Sequence, residues 1–192
     1  MDDAALAALA AGQHGVFTRR QAATLGYSAY QIRRRIADGR WQEFGGGVLA
    51  EGVRRRTAGL REAAALLASP GAVLAGPTAA RRHGWDCPDR RIFVAAGSTG
   101  CVAITGVVRL PGPVPVADVV RHGGCPTTSM GRTLVDCCLV LAAGPALDLL
   151  TAALRSELVT LAELAPRVHA HAGRRGAPRL ARLMRAARQA TA

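Results

Sequence analysis

Hydrophobic and polar positions in the first fifty residues predict three short helices followed by a β-hairpin. Apolar side chains recur at helical spacing over three segments, Ala4–Ala11, Arg19–Leu25 and Ala29–Asp38. After Gly39 the helical pattern gives way to alternation in Arg40–Phe44, which a glycine run separates from the apolar stretch Val48–Ala50. Alternating residues around a glycine turn are typical of a two-stranded hairpin.

Local signals fix where these helices begin and end. Thr18 and Ser28 stand at N-cap positions, where a hydroxyl can accept a backbone N–H. Gly26 and Gly39 stand just past the second and third helices, where a left-handed residue is favoured. Helices joined by a short glycine-containing turn and followed by a hairpin predict a winged helix-turn-helix in residues 1–53.

The remaining segment, residues 54–192, predicts a mixed α+β domain with a small central sheet and C-terminal helices. Its pattern indicates strands at Ala72–Ala75, Ile92–Ala96, Val102–Leu110 and Val116–Arg121. Helices are expected at Ala58–Ala68, Pro77–His83, Met130–Ala142, Pro145–Arg155, Leu161–His169 and Ala177–Ala187. The fold class is therefore predicted to be α+β.

Charge points to a polyanionic partner. The 25 basic residues, all of them Arg, outnumber 13 acidic ones and give a formal net charge of +12. A GC-rich coding sequence explains Arg in place of Lys, but it does not explain the surplus. Nucleic acid is the commonest partner for such a surface, and guanidinium suits both phosphate and guanine.

The third helix is the expected reading element. Its apolar face is formed by Ala29, Ile32 and Ile36, which leaves Tyr30, Gln31, Arg34 and Asp38 on the opposite side. We expect Arg34 to contact guanine and Gln31 to contact adenine in a major groove. An ordinary solvated helix face is the alternative interpretation of the same arginines.

Other residues are expected to hold the DNA backbone, which orients a protein without reading sequence. They are Thr18, Arg19 and Arg20 at the start of the second helix, Ser28, Arg33 and Arg35 on the third, Arg40 in the wing, and Arg54 and Arg55 beyond it. Two alternatives stay open here. Trp41 is either a core aromatic or a groove wedge, and Arg54–Arg56 either contact DNA or form a solvated linker.

The C-terminal end is a second basic element, since no acidic residue follows Glu163. The last helix has an apolar face formed by Leu180, Leu183, Met184 and Ala187. Another face carries Arg175, Arg179 and Arg182. A second DNA contact, a partner-docking helix and a solvated face remain open interpretations of this pattern.

Catalytic, metal and cofactor sites are not predicted, and we expect the protein not to be an enzyme. The five cysteines lack C-x-x-C spacing, which favours reduced thiols in the core over a zinc site. Arg132 and Asp136 are one helical turn apart, the spacing of an intrahelical ion pair.

A cytoplasmic protein without membrane spans is expected. The chain opens on Met1-Asp2-Asp3, acidic where a signal peptide is positive. Its longest apolar stretch, Leu134–Leu154, contains two Asp residues.

Several segments in both parts of the chain together carry a family resemblance. The N-terminal ones are His14–Gln21, Gly26–Ser28, Ile32–Arg35 and Gly39–Trp41. The later ones are Gly71–Leu74, Thr78–Ala80, Cys125–Thr128, Arg132–Asp136 and Gly173–Ala177. In this order, the segments resemble the AbiEi-type antitoxins of type IV toxin–antitoxin systems.

The resemblance implies a transcriptional autorepressor that binds operator repeats in double-stranded DNA. It also implies a C-terminal part that opposes a nucleotidyltransferase-like toxin. Many relatives continue into a Vsr-like endonuclease domain with a Glu-x-Asp-Gly motif, which this sequence lacks. Three hypotheses follow: a DNA-binding regulator, an interaction module that neutralises such a toxin, and a remnant of such a nuclease.

Overall fold

The structure is a computed structural model that describes residues 1–52, 57–97 and 104–191. It divides into two compact units, Met1–Ala72 with Ser98–Val107, and Val73–Gly97 with Val108–Ala192. Arg54 and Arg55, which the sequence analysis assigns to DNA binding, lie outside the described residues, as does Cys101. The predicted α+β class is confirmed by helices and sheets in the same chain.

The first unit has the winged helix-turn-helix order that the sequence predicts. It runs α1 (Asp3–Gly12), β1 (Val16–Thr18), α2 (Arg19–Thr24), α3 (Ala29–Ala37), β2 (Trp41–Gly45), β3 (Val48–Glu51) and α4 (Ala58–Ala68). Its strands form an antiparallel sheet in the order β1-β3-β2, in which β3 pairs with both neighbours. Strands β2 and β3 are the wing.

The two faces of this sheet are covered by different helices. Successive side chains of a strand point to opposite faces. Accordingly Phe17 packs with residues of α1, α2 and α3, whereas its neighbour Val16 packs with α4. Helix α4, which the sequence analysis assigns to the second domain, therefore contributes to the core of the first unit; the predicted boundary near residue 54 stays a prediction.

One arginine of α3 belongs to the aromatic cluster of this unit. The Arg35 guanidinium lies 5.0 Å from the ring centre of Tyr27 and 5.2 Å from that of Trp41. The Arg35 Nη2 atom also lies 3.0 Å from Oδ1 of Asp3, which accepts a hydrogen bond from the Tyr27 hydroxyl as well. Arg35 thereby ties α3 to both α1 and the wing.

The electrostatics of this cluster are mutually supporting. Burial, followed by the hydrogen bond to Asp3, raises the pKa of Tyr27 to about 12. The hydrogen bond from Tyr27 is in turn the main cause that lowers the pKa of Asp3. Tyr27 therefore stays a neutral donor and Asp3 a charged acceptor at physiological pH, the states in which both hold Arg35.

The second unit consists of a mixed five-stranded sheet and the helices that pack with it. In chain order it contains β4 (Val73–Leu74), α5 (Gly76–Arg82), β5 (Ile92–Ala96), β6 (Val107–Pro111), β7 (Val119–His122), β8 (Cys125–Thr128), α6 (Met130–Val140), α7 (Ala143–Arg155), α8 (Leu161–His169) and α9 (Ala177–Thr191). The strand order is β6-β5-β4-β8-β7, with β4 and β8 parallel. Helices α6 to α9 share a core that includes Leu134, Leu150, Leu164 and Leu180.

Two strand predictions in this unit are wrong in part. Residues 104–106 lie outside strand structure, and β6 begins only at Val107. Val116–Asp118 is a turn of 3-10 helix, so β7 starts at Val119. Strand β8 was not predicted at all, because Pro126 and the preceding Gly123-Gly124 are typical of a turn.

The cysteines confirm the prediction of core thiols. In the described part of the chain, Cys87, Cys125, Cys137 and Cys138 are buried thiols that form no disulfide bond. The predicted Arg132–Asp136 ion pair is also present, with 2.9 Å between Nε and Oδ1.

Among the described residues, every helix is too short or too polar to cross a bilayer.

We predict that Arg35→Ala lowers the free energy of unfolding by about 1–2 kcal/mol, the sum of a cation–π contact and a partly exposed ion pair. Arg33→Ala is the matched control, because Arg33 is an exposed arginine of the same helix and should change stability by less than about 0.5 kcal/mol. Urea unfolding of the full chain measures both. Equal stability of the two variants would contradict the assigned role of Arg35.

Candidate nucleic-acid interface

Helix α3 is held at both ends by local hydrogen bonds. The Ser28 hydroxyl accepts a hydrogen bond from the Gln31 backbone N–H at 3.2 Å. The side-chain oxygen of Gln31 in turn accepts one from the Ser28 backbone N–H at 2.8 Å. Gly39, with a φ of +70°, follows the C-cap residue Asp38. These interactions fix the length of α3 independently of any ligand.

The inner face of α3 is narrower than the sequence predicts. Ile32 is buried and Ile36 is half-buried, but Ala29 is exposed, so its predicted place in the core is wrong. Ala29 is the first residue of α3, which places it at the edge of the packed surface rather than over the core. Two isoleucines and Arg35 therefore carry the contact of α3 with the rest of the unit.

The outer face of α3 presents a tyrosine and two arginines to solvent. Tyr30 is 63% exposed, the Arg34 side chain is 67% exposed, and Arg33 is exposed as well. Arg34 lies near Asp38, with 3.6 Å between its Nε and the Oδ2 atom of Asp38. An exposed pair of this kind contributes little, so a stronger acceptor can replace Asp38.

Gln31 and Arg35, both predicted to contact DNA, have partners within the protein. Gln31 uses its side-chain oxygen in the N-terminal cap, so a bidentate contact with adenine would require the cap to open. The side chain of Arg35 is only 18% exposed and is paired with Asp3. The Ser-x-x-Gln spacing was a signal for the cap, whereas nothing local indicates the Asp3 pair.

The start of α2 is already occupied by protein groups. The Thr18 hydroxyl caps the Gln21 N–H at 3.1 Å, and the Arg19 N–H donates to the Gly47 carbonyl at 2.8 Å. The Arg19 side chain pairs with Glu43 of β2 at 3.0 Å. Arg20, by contrast, is exposed and has no ion pair among the described residues. Of the residues predicted here, Arg20 is the one with a free guanidinium.

The wing supplies a further arginine and no aromatic wedge. Trp41 is only 2% exposed and packs against Phe17 and Tyr27, which confirms the core alternative. Arg40, one residue earlier, is exposed.

Part of the predicted site comes together around one shallow depression of about 170 Å³ beside α3. It is lined by Met1, Gln31, Arg34, Arg35, Asp38 and Arg40. Arg34 and Arg40 thus extend over the same concave surface from α3 and the wing, while Thr18, Arg19 and Arg20 are not part of it. A concave surface lined by arginines suits a phosphate backbone. Asp38 is the acidic residue in this lining.

Comparison with known proteins finds a family to which this part of the chain is similar. Residues 4–43 match the family described as "Transcriptional regulator, AbiEi antitoxin". No curated protein matches the sequence.

A solved structure resembles the chain over nearly its whole length. It is the crystal structure of the RV2827C protein from Mycobacterium tuberculosis, with a TM-score of 0.60 at 18% identity. The similarity covers 95% of this chain and 75% of that one, and at this identity it shows the fold alone.

The family match spans α2, α3 and the start of the wing, the elements that carry the exposed tyrosine and arginines. The resemblance expected from the sequence is therefore confirmed for residues 4–43, which are similar to the AbiEi-antitoxin family of transcriptional regulators. For the segments beyond residue 43 it stays a prediction.

Proposed function

We propose that this chain is a DNA-binding transcriptional regulator that represses its own operon by binding operator repeats through α3. The observation that carries the proposal is the outer face of α3, where Tyr30, Arg33 and Arg34 are exposed while Arg35 is withdrawn. In this proposal the protein acts in the cytoplasm and has no catalytic role.

The residues of α3 divide into two roles. Arg34 has the exposure that a bidentate contact with guanine requires, and its weak pair with Asp38 can be exchanged for a base edge. Arg33, Arg40 and Arg20 are exposed cations placed to contact phosphates. Arg35 positions the helix instead of contacting DNA, and Gln31 caps it.

The family match and the charge of the chain support the same proposal. The matched family is one of transcriptional regulators, and its matched segment includes α3. Twelve excess positive charges favour association with DNA over a broad range of sequences. Specificity must then come from few base contacts, which makes Arg34 the most informative position.

We predict that Arg34→Ala weakens binding to the repeat upstream of the gene by about 10- to 100-fold, the loss expected for one bidentate base contact. Affinity for a random duplex should change little by comparison. Gel-shift titrations of the full chain on both duplexes measure the two affinities.

Arg33→Ala is the matched control for that prediction. A lost phosphate contact should weaken both duplexes to the same extent and lower the salt dependence by about one ion. If Arg34→Ala behaves in the same way as Arg33→Ala, α3 does not read base edges through Arg34.

A second candidate function, neutralisation of a nucleotidyltransferase-like toxin, is favoured by one observation on α9. Arg182, Arg185 and Arg188 are exposed along one side of this helix, opposite the buried Leu180 and Ala187. The predicted Arg175–Arg179–Arg182 face is wrong, because Arg179 is half-buried and donates to the Leu141 carbonyl. The outward stripe would suit an acidic partner surface.

Charge reversal tests this candidate better than deletion, since removing α9 would expose the core. We predict that the triple variant Arg182→Glu, Arg185→Glu, Arg188→Glu no longer co-purifies with a co-expressed toxin from the adjacent reading frame. Arg33→Glu, Arg34→Glu, Arg40→Glu is the matched control on the first unit and should retain capture. Capture by both variants would exclude the α9 stripe as the docking element.

A further inference from the structure

The second unit contains a cavity that DNA binding through α3 does not use. Its volume is about 530 Å³, and it lies beside α6. Apolar walls are contributed by Leu110, Leu139 and Val140. Cavities of roughly 300–1,000 Å³ with mostly apolar walls and a few polar groups are typical of small-molecule sites.

A largely buried guanidinium lines this cavity. The Arg132 side chain is only 11% exposed, and its Nε donates to Oδ1 of Asp136 at 2.9 Å. In the part of the chain that the structure describes, the other two guanidinium nitrogens of Arg132 have no hydrogen-bond acceptor. A guanidinium offers five N–H donors in a planar fork that matches a carboxylate. Arg132 therefore has unused donors beside the cavity.

Two further arginines lie at the same cavity on a tightly packed loop. Arg174 and Arg175 are exposed, and neither has an ion pair among the residues described. They are followed by Gly176, which has a φ of +92° and whose added Cβ would lie 2.7 Å from Cδ2 of Leu139. The positive φ favours glycine at this position, and the missing Cβ lets the loop approach Leu139 of α6 closely.

The charge balance of the lining favours an anion. Three guanidiniums face one carboxylate, that of Asp136, whose Oδ2 atom is buried without a hydrogen-bond partner in the described protein. Burial raises the pKa of Asp136 to about 6, against the opposing effect of Arg132. Burial also lowers the pKa of the lining residue His171, with Arg132 and Arg174 contributing in the same direction.

We propose that this cavity binds a small amphipathic anion, a carboxylate-headed molecule with an apolar body. The head would take the free donors of Arg132 and the charges of Arg174 and Arg175. The body would lie against Leu110, Leu139 and Val140. An inorganic anion would gain only the first set of contacts, and an uncharged apolar molecule only the second. The site thus requires both parts in one ligand.

Calorimetric titration of the full chain with decanoate tests the proposal. Decanol, which lacks the charged head, and inorganic phosphate, which lacks the apolar body, serve as partial probes. We expect saturable one-to-one binding of decanoate and at least about tenfold weaker binding of either partial probe, because each forgoes one set of contacts. No saturable binding of decanoate, or equal binding of phosphate, would overturn the proposal.

Variants separate this site from general attraction to a basic protein. Arg174→Gln with Arg175→Gln should weaken decanoate binding about tenfold or more, and circular dichroism checks that these exposed substitutions leave the fold intact. Arg185→Gln with Arg188→Gln removes the same charge from α9 away from the cavity lining and should leave binding unchanged. An equal loss in both variants would show that net charge, not the cavity, holds the ligand.

Discussion

The stacked and paired guanidinium of Arg35 is the interaction on which the candidate interface depends. It contacts the rings of Tyr27 and Trp41 and pairs with Asp3, so it joins α3 to the wing and to α1 at one point. Since helical side chains advance about 100° per residue, fixing Arg35 inward fixes its two predecessors, Arg33 and Arg34, at the surface. In the proposed function, Arg35 thereby determines which arginines of α3 can reach DNA.

In the proposed function, this arrangement separates positioning of the helix from base contact within a single Arg-Arg-Arg run. The half-buried member, Arg35, contributes more to folding, because its cation lies against two aromatic rings and a charged carboxylate. Of the exposed members, Arg34 has a weak pair with Asp38, so in the proposed function a DNA acceptor has only water and one solvated carboxylate to displace. The arginines of α2 divide in the same way. Arg19 pairs with Glu43 of β2, whereas Arg20 is exposed and has no ion pair among the described residues.

Local signals in the sequence were sufficient for the helices of the first unit and insufficient for its ion pairs. Caps at Thr18 and Ser28 and the glycines after the helices are short-range features, and the structure contains them as expected. The Asp3–Arg35 pair joins residues 32 positions apart, and the Arg19–Glu43 pair joins residues 24 apart, so neither has a local pattern.

In the second unit, β8 was missed because its Pro and Gly neighbours resemble a turn and only pairing with β4 and β7 makes it a strand. The cavity is likewise a product of tertiary packing. Arg132 and the Arg174-Arg175 pair appear in the sequence as separate motifs, and the folded chain brings them to one surface, where Gly176 lies close to Leu139.

Photo-crosslinking from position 30 tests the central claim most directly, because Tyr30 is an exposed aromatic side chain on the outer face of α3. A benzoylphenylalanine at this position, in the full chain bound to its upstream duplex, should crosslink to the DNA, and unlabelled cognate duplex should compete. Retained binding of the duplex with no crosslink from position 30 would contradict the account, because α3 would then lie away from the DNA.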